Sequence, residues 1–358
     1  MGRADLFTQQ RSNRRRARWI TLGFVLFFAW LGFGGDYILH RLGREGVTGS
    51  YVHVFPVLGT LLTAIAAGLA LRSWRSGADT VLRAVRAREV LAPADEREQI
   101  LSNVLDEMGV AAGLPRPRLF VVEDPDPNAF TVGLGPESAC VVVTTELLVR
   151  LRRDELQAVV AHELGHVRNL DVRLHTVLAG MLGAIAFVAD GWRRPSKEGQ
   201  RRSGGGDWES EGDWKGVGLV TAILAVVWLL SWLLAPLVVR VLASCVSRQR
   251  EFLADAMAAQ FTRQPLALAK AVRKIDDPRP TAALVGRGVA HMCVVDPLGR
   301  GRSSGSSAAI AAESASHPPL EERVARLEAM GYGEIGSGET RRTPVEVGSG
   351  LGARSRPG

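Results

Sequence analysis

The stretch AHELGHVRNLD, Ala161–Asp171, carries two of the chain's seven histidines, four residues apart, with a glutamate directly after the first. Around it Leu156, Val159, Val160 and Leu164 recur at helical spacing, so Arg153–Asp171 reads as an amphipathic helix. His162 and His166 then stand one turn apart on one face. Two imidazoles so placed can bind a single tetrahedral zinc ion. Glu163 projects beside the metal, where it can take a proton from water that the metal polarises. With this chain's His and Glu frequencies, shuffling produces HExxH in about one chain per hundred. The motif therefore needs a third donor before it means a metal site.

Several spacings fail to supply one. In HExxHxxGxxH the third histidine would fall at Val172 and the glycine at Asn169, while His175 comes three residues too late. The apolar run after the motif contains no glutamate. The remaining candidate is SRQREFLADAM, Ser247–Met257, where Glu251 and Asp255 lie one turn apart on one helical face. Glu251 can complete a His₂Glu set with the fourth position left for water. Asp255 can accept a hydrogen bond from the other nitrogen of a ligating histidine. The alternative is an ordinary solvated acidic face. On this assignment Asp171 and Glu155, although close to the motif, are expected to be dispensable for metal binding.

Four runs lack Asp, Glu, Lys and Arg: Trp19–Gly35, Gly46–Leu71, Thr176–Ala189 and Gly216–Val239. A helix crossing the hydrocarbon core needs about 20 apolar residues. The second and fourth runs meet this, the first does so with Tyr37–Leu39, and the third is short. A second span follows the first at once, so the first reads as a span and not as a cleavable signal. Arg3, Arg11, Arg14, Arg15, Arg16 and Arg18 precede span one, and Arg72, Arg75, Arg83, Arg86 and Arg88 follow span two. The loop between has only Arg41 and Arg44, offset by Asp36 and Glu45. Positive charge on the inner side places the N-terminus and residues 73–172 in the cytoplasm. If runs three and four both cross, Glu251 returns to the histidines' face of the membrane; if only the fourth crosses, it does not.

The chain has 358 residues, 46% hydrophobic and 23% charged, with formal net charge +7. Its arginines are scattered and no nucleic-acid-binding signature accompanies them, so nucleic acid is not an expected partner. Three cysteines, Cys140, Cys245 and Cys293, are too few and too far apart for a disulfide framework and read as buried thiols.

NAFTVG (Asn128–Gly133), HELGH, the SRxxExxAD pattern of Ser247–Asp255 and SHPPLEER (Ser316–Arg323) occur in this order. With two N-terminal spans and a later hairpin, the chain resembles the HtpX-type membrane zinc metalloproteases, bacterial relatives of the CAAX prenyl proteases. The resemblance covers roughly Trp19 to Gly333. It implies a mostly α fold: a four-helix transmembrane protein with a cytoplasmic gluzincin-type domain whose small β-sheet aligns substrate along an edge strand. Arg118–Val122 and Ala139–Thr144 are β-rich stretches flanking a Pro/Asp/Asn/Gly turn region.

The expected organisation is a basic N-terminus (1–18), two transmembrane helices (19–72), the first catalytic part with HExxH (73–172), and a transmembrane hairpin (173–245). The polar loop 191–215 of that hairpin is external. A second catalytic part (246–334) and a disordered tail (335–358) follow. The resemblance implies one zinc per chain on His162, His166 and Glu251, with Glu163 as general base. It further places Asn128 near the substrate backbone, His317 at the oxyanion, and Arg323 near the site, where it pairs either with an active-site carboxylate or with solvated glutamates. The expected activity is endopeptidase cleavage of misfolded or damaged membrane proteins at the cytoplasmic face of the cell membrane. Two other classes remain open. A catalytically inactive membrane scaffold would have no need of Glu163, and a transporter would carry polar residues inside its spans.

Overall fold

The computed structural model of the protein describes residues 3–44, 55–181, 219, 221–231, 248–276, 292–294 and 318–339. The first two apolar runs lie on long antiparallel helices, α1 (Arg3–Arg44) and α2 (Val57–Ala84). Among the described residues these are the two helices long and apolar enough, by length and composition, to cross a membrane. Their outer faces expose Trp19, Leu22, Leu26, Trp30, Leu61 and Ile65, an apolar surface suited to lipid. Between them the backbones touch at Gly32 and Gly59: a Cβ on Gly32 would stand 2.7 Å from Gly59 Cα. Asp36, the acid that interrupts the first run, is buried there, and its carboxylate accepts from the backbone N–H groups of Leu58 and Gly59 at 3.3 and 2.6 Å. It thereby caps the first turn of α2, whose preceding Pro56 has no side-chain cap to offer. The basic segment 1–18 is thus not a separate element, since from Arg3 onward it is the start of α1.

The lower part of α2 leads into a sheet and a layer of helices. Val81, Leu82 and Val85 pack beneath a four-stranded sheet of β1 (Arg88–Glu89), β2 (Arg118–Val122), β3 (Ala129–Val132) and β4 (Cys140–Thr144), in the order β1-β2-β4-β3. The period-2 alternation of these strands divides their side chains between two cores. Phe120, Val122, Phe130, Val132 and Val142 face α2, while Leu119, Val121, Ala129, Val141 and Val143 face the helical layer. β2 and β4, the two β-rich stretches visible in the sequence, run parallel, and the turn-rich region between them contains β3, antiparallel to β4. Turn residues at both ends of AFTV hid this strand. In space it is the sheet edge nearest the HELGH helix.

The helical layer holds α3 (Glu96–Ala112), α4 (Thr145–Arg150), α5 (Arg153–Arg168), α6 (residues 171–181), α8 (Arg248–Thr262), α9 (Pro265–Ile275) and α10 (Leu320–Glu339), with the short apolar α7 (Thr221–Ser231) between α6 and α8 in sequence. α5 is buried beyond the single apolar face that its spacing marks. Every residue from Ala158 to Val167 is buried, because α3, α8, α9 and β3 all cover it. Its start is fixed by Glu155, which accepts from the Arg152 backbone N–H at 2.9 Å and from Lys274 Nζ at 2.7 Å. The third apolar run is described to Met181, as helix packed within protein, and the fourth as α7. Among the described residues two of the four expected spans are present. Loop 191–215, Cys245 and His317 lie outside the described residues. The expected tail from 335 begins too early, since α10 continues to Glu339; residues 340–358 also lie outside. Cys140 and Cys293 are buried thiols outside any disulfide, as expected.

Candidate metal centre

α5 and α8 cross at Gly165, where a Cβ would stand 3.3 Å from Ala254 Cα. This close approach brings Glu251 to the two histidines. His162 Nε2, His166 Nε2 and the Glu251 carboxylate form a triangle: 3.3 Å between the nitrogens, 3.6 Å from His162 Nε2 to Glu251 Oε2, and 3.5 Å from His166 Nε2 to Glu251 Oε1. A tetrahedral ion with bonds of about 2.0–2.2 Å needs donors about 3.3–3.6 Å apart. All three side chains are buried.

The opposite imidazole nitrogens explain why a cation belongs there. His162 Nδ1 lies 2.9 Å from Asp255 Oδ1, and His166 Nδ1 lies 3.5 Å from Asp171 Oδ2. A carboxylate beside Nδ1 keeps the proton on that nitrogen and leaves Nε2 as a lone pair. Two Nε2 lone pairs and a carboxylate then face one another inside 4 Å, an arrangement that repels itself unless a cation or a proton sits between.

Asp255 is in turn held by Arg323. The guanidinium donates from Nε to Oδ2 at 2.9 Å and from Nη2 to Oδ1 at 2.7 Å, and its Nη1 donates to the Val294 carbonyl at 2.7 Å. Arg323 is 2% exposed, so of its two readings the active-site carboxylate is the partner. Burial raises the Asp255 carboxyl, but Arg323 and His162 outweigh it and hold the group below its ordinary range. Burial likewise opposes the charged form of His162, yet Asp255 and Glu251 raise its pKa to about 9 in the metal-free chain. Glu163 goes the other way: burial dominates and holds its carboxyl above the usual range. Thr131 Oγ1 on β3 donates to Glu163 Oε2 at 2.7 Å.

The structure thus brings together six of the residues picked from the sequence, His162, Glu163, His166, Glu251, Asp255 and Arg323. Asn128 is buried at the entrance to β3, where its Oδ1 accepts from the Ala129 N–H at 3.1 Å. Asp171 corrects the sequence reading. It is not a bystander, because it faces His166 Nδ1. The sequence reading set Asp171 aside as dispensable and missed Thr131. Thr131 could have been found from strand alternation, since it shares a face with Ala129 in NAFTVG, whereas nothing local marks Asp171. His175 is buried with its ring 5.7 Å from that of His166 and lies outside the donor triangle.

With this geometry in view, the comparisons decide the family. The model of Peptidase family M48 matches residues 95–331. The chain belongs to peptidase family M48. Its relatives include the "Protease HtpX homolog" of Thermoanaerobacter pseudethanolicus, 32% identical over 92% of this chain and 99% of the relative. The "Protease HtpX homolog" of Leuconostoc citreum is 33% identical over 91% and 100%. That of Dictyoglomus turgidum is 38% identical over 68% and 73%. The crystal structure of S. mikatae Ste24p matches 86% of this chain and 66% of that one at 20% identity, but a TM-score of 0.39 is too low to build on. The HtpX-type resemblance read from four motifs is therefore borne out, and the M48 chain is a metalloprotease.

Proposed function

We propose that this M48 metalloprotease is a multi-pass membrane zinc endopeptidase that cuts misfolded or damaged membrane proteins at the cytoplasmic face. The observation that carries the reading is the donor triangle on α5 and α8. Its N₂O set and spacing suit zinc, held by His162, His166 and Glu251. Bound zinc would supply Lewis-acid polarisation of water and of the scissile carbonyl. Glu163 takes a proton from the attacking water and passes it to the leaving amine, a role that its raised carboxyl pKa suits. Thr131 fixes the Glu163 carboxylate through Oε2. The Thr144 N–H to Asn128 carbonyl bond sets the strand parity, so the backbones of Ala129 and Thr131 point away from β4; the Val294 N–H takes the Ala129 carbonyl at 3.0 Å. Beside Thr131 an extended peptide can pair by strand addition. Asn128 supports that strand's start, and the resemblance assigns His317 to the oxyanion.

The proposed organisation keeps both catalytic parts on the cytoplasmic side. Residues 173–245 then form a hairpin in the membrane with loop 191–215 outside, which lets Glu251 meet α5. The test is zinc analysis with a casein-cleavage assay on purified wild type and Glu163→Gln. The variant should keep one zinc and lose about 10²–10⁴-fold in rate. Near-wild-type cleavage by Glu163→Gln, free of contaminating protease, would refute the mechanism.

A further inference from the structure

α1 begins as an arginine-rich helix whose exposed side chains, Arg11, Arg14, Arg15, Arg16 and Arg18, surround one buried polar residue, Asn13, 2% exposed. Its amide Nδ2 donates to Asp171 Oδ1 at 2.7 Å and to the Asn169 carbonyl at 2.9 Å. One turn earlier, Gln10 Nε2 donates to the Arg168 carbonyl at 2.7 Å. Both carbonyls belong to the C-terminal end of α5, where a helix has no backbone donors of its own left. The first helix therefore closes the end of the HExxH helix and grips one oxygen of Asp171. The other oxygen of Asp171 is the one facing His166 Nδ1. Arg250 Nε, next to Glu251 on α8, approaches the same Oδ1 at 3.5 Å.

We propose that Asn13 is a positioning residue of the metal centre, acting through Asp171 on His166, so that full metal affinity requires α1 docked on α5. This rests on the proposed zinc reading. A carboxylate beside a ligating imidazole fixes the ring and strengthens it as a donor, and losing such a partner weakens metal binding about 10–100-fold. Asn13 holds the Asp171 carboxylate so that one oxygen stays toward His166. Without that amide the carboxylate can turn further onto Arg250 and away from His166.

The test is zinc affinity by chelator competition on the full-length chain in detergent, with the melting temperature of the metal-free form measured alongside. Asn13→Ala should bind zinc about 10-fold more weakly and Asp171→Ala at least as weakly. The double variant should bind no more weakly than Asp171→Ala alone. Arg16→Ala, on the exposed side of α1, should match wild type. If Asn13→Ala does not fold, Asn13→Asp keeps the shape but sets a carboxylate against Asp171, and it should weaken zinc at least as much. The inference is overturned if Asn13→Ala, or Asn13→Asp in its place, stays within twofold of wild type. It is overturned too if the Asn13 effect persists undiminished in the Asp171→Ala background, as a merely structural role would give. A wild-type chain that binds no zinc would sink both this inference and the proposed function; zinc bound normally with Asn13 variants unaffected would sink this inference alone.

Discussion

Gly165, inside HELGH, should control the metal site without touching the metal. A Cβ there would meet Ala254 Cα at 3.3 Å and the Ala254 carbonyl oxygen at 3.4 Å, against about 3.5–4.0 Å for ordinary carbon contacts. Gly165→Ala thus makes α8 retreat by a few tenths of an ångström. Glu251 lies three residues before Ala254 on the same helix, so its carboxylate retreats with it. Metal–ligand distances hold to within about ±0.2 Å, and the shift is of that size. Zinc affinity should fall about 10-fold for Gly165→Ala. Fold stability should change little, because alanine regains about 1 kcal/mol of helix propensity over glycine against the packing cost. Gly165→Val reaches about 1.5 Å further and should abolish tight zinc binding. The assay is chelator competition for zinc, with circular dichroism to confirm helix content. A folded Gly165→Val chain that binds zinc as wild type does would refute the idea that this crossing delivers the third ligand.

Other outcomes follow from the same geometry. Asp171→Ala should weaken zinc about 10–100-fold, whereas Glu155→Ala, at the far end of α5, should lower the melting temperature and leave zinc affinity alone; unchanged zinc affinity in both variants would restore the reading made from sequence spacing. In the metal-free chain the His162 pKa is raised to about 9, so below that pH zinc must displace a proton. Zinc affinity should therefore rise with pH from about 6.5 to 9 and then level off. The charged His162 stabilises the metal-free fold fully below its ordinary pKa of 6.5, and that contribution disappears as pH rises through about 9. A zinc affinity flat across this window, measured by chelator competition, would contradict the buried Asp255 and Glu251 contacts. For the proposed topology, a single cysteine at Ser203 in a chain lacking Cys140, Cys245 and Cys293 should react with an impermeant reagent in intact cells. Protection until lysis would refute the external loop.

The chemistry was legible in short, local patterns. HExxH put His162, Glu163 and His166 on one helix turn because a helix repeats every 3.6 residues, and Glu251 with Asp255 was legible for the same reason. The apolar lengths of α1 and α2 were legible because a bilayer sets them. Other features were not, because they depend on distant segments meeting. α5 looked amphipathic until α3, α8, α9 and β3 covered every side of it. β3 looked like a turn because its ends carry turn residues and its pairing partner, β4, lies further along the chain. Which carboxylate serves which histidine was beyond any spacing rule. Asp255 meets His162 across the α5–α8 crossing, and Asp171 meets His166 because the chain bends at Asn169–Leu170, where Leu170 has φ 60°. The sequence by itself determined the donor types, their helical faces and the membrane-length helices, since each is a property of a few consecutive residues. The tertiary structure alone decided that Asn13, Asp171 and Thr131 surround the donor triangle and that Arg323 pairs with Asp255 and not with its glutamate neighbours, since contacts between residues far apart in sequence, such as Asn13 with Asp171, leave no periodic trace in the chain.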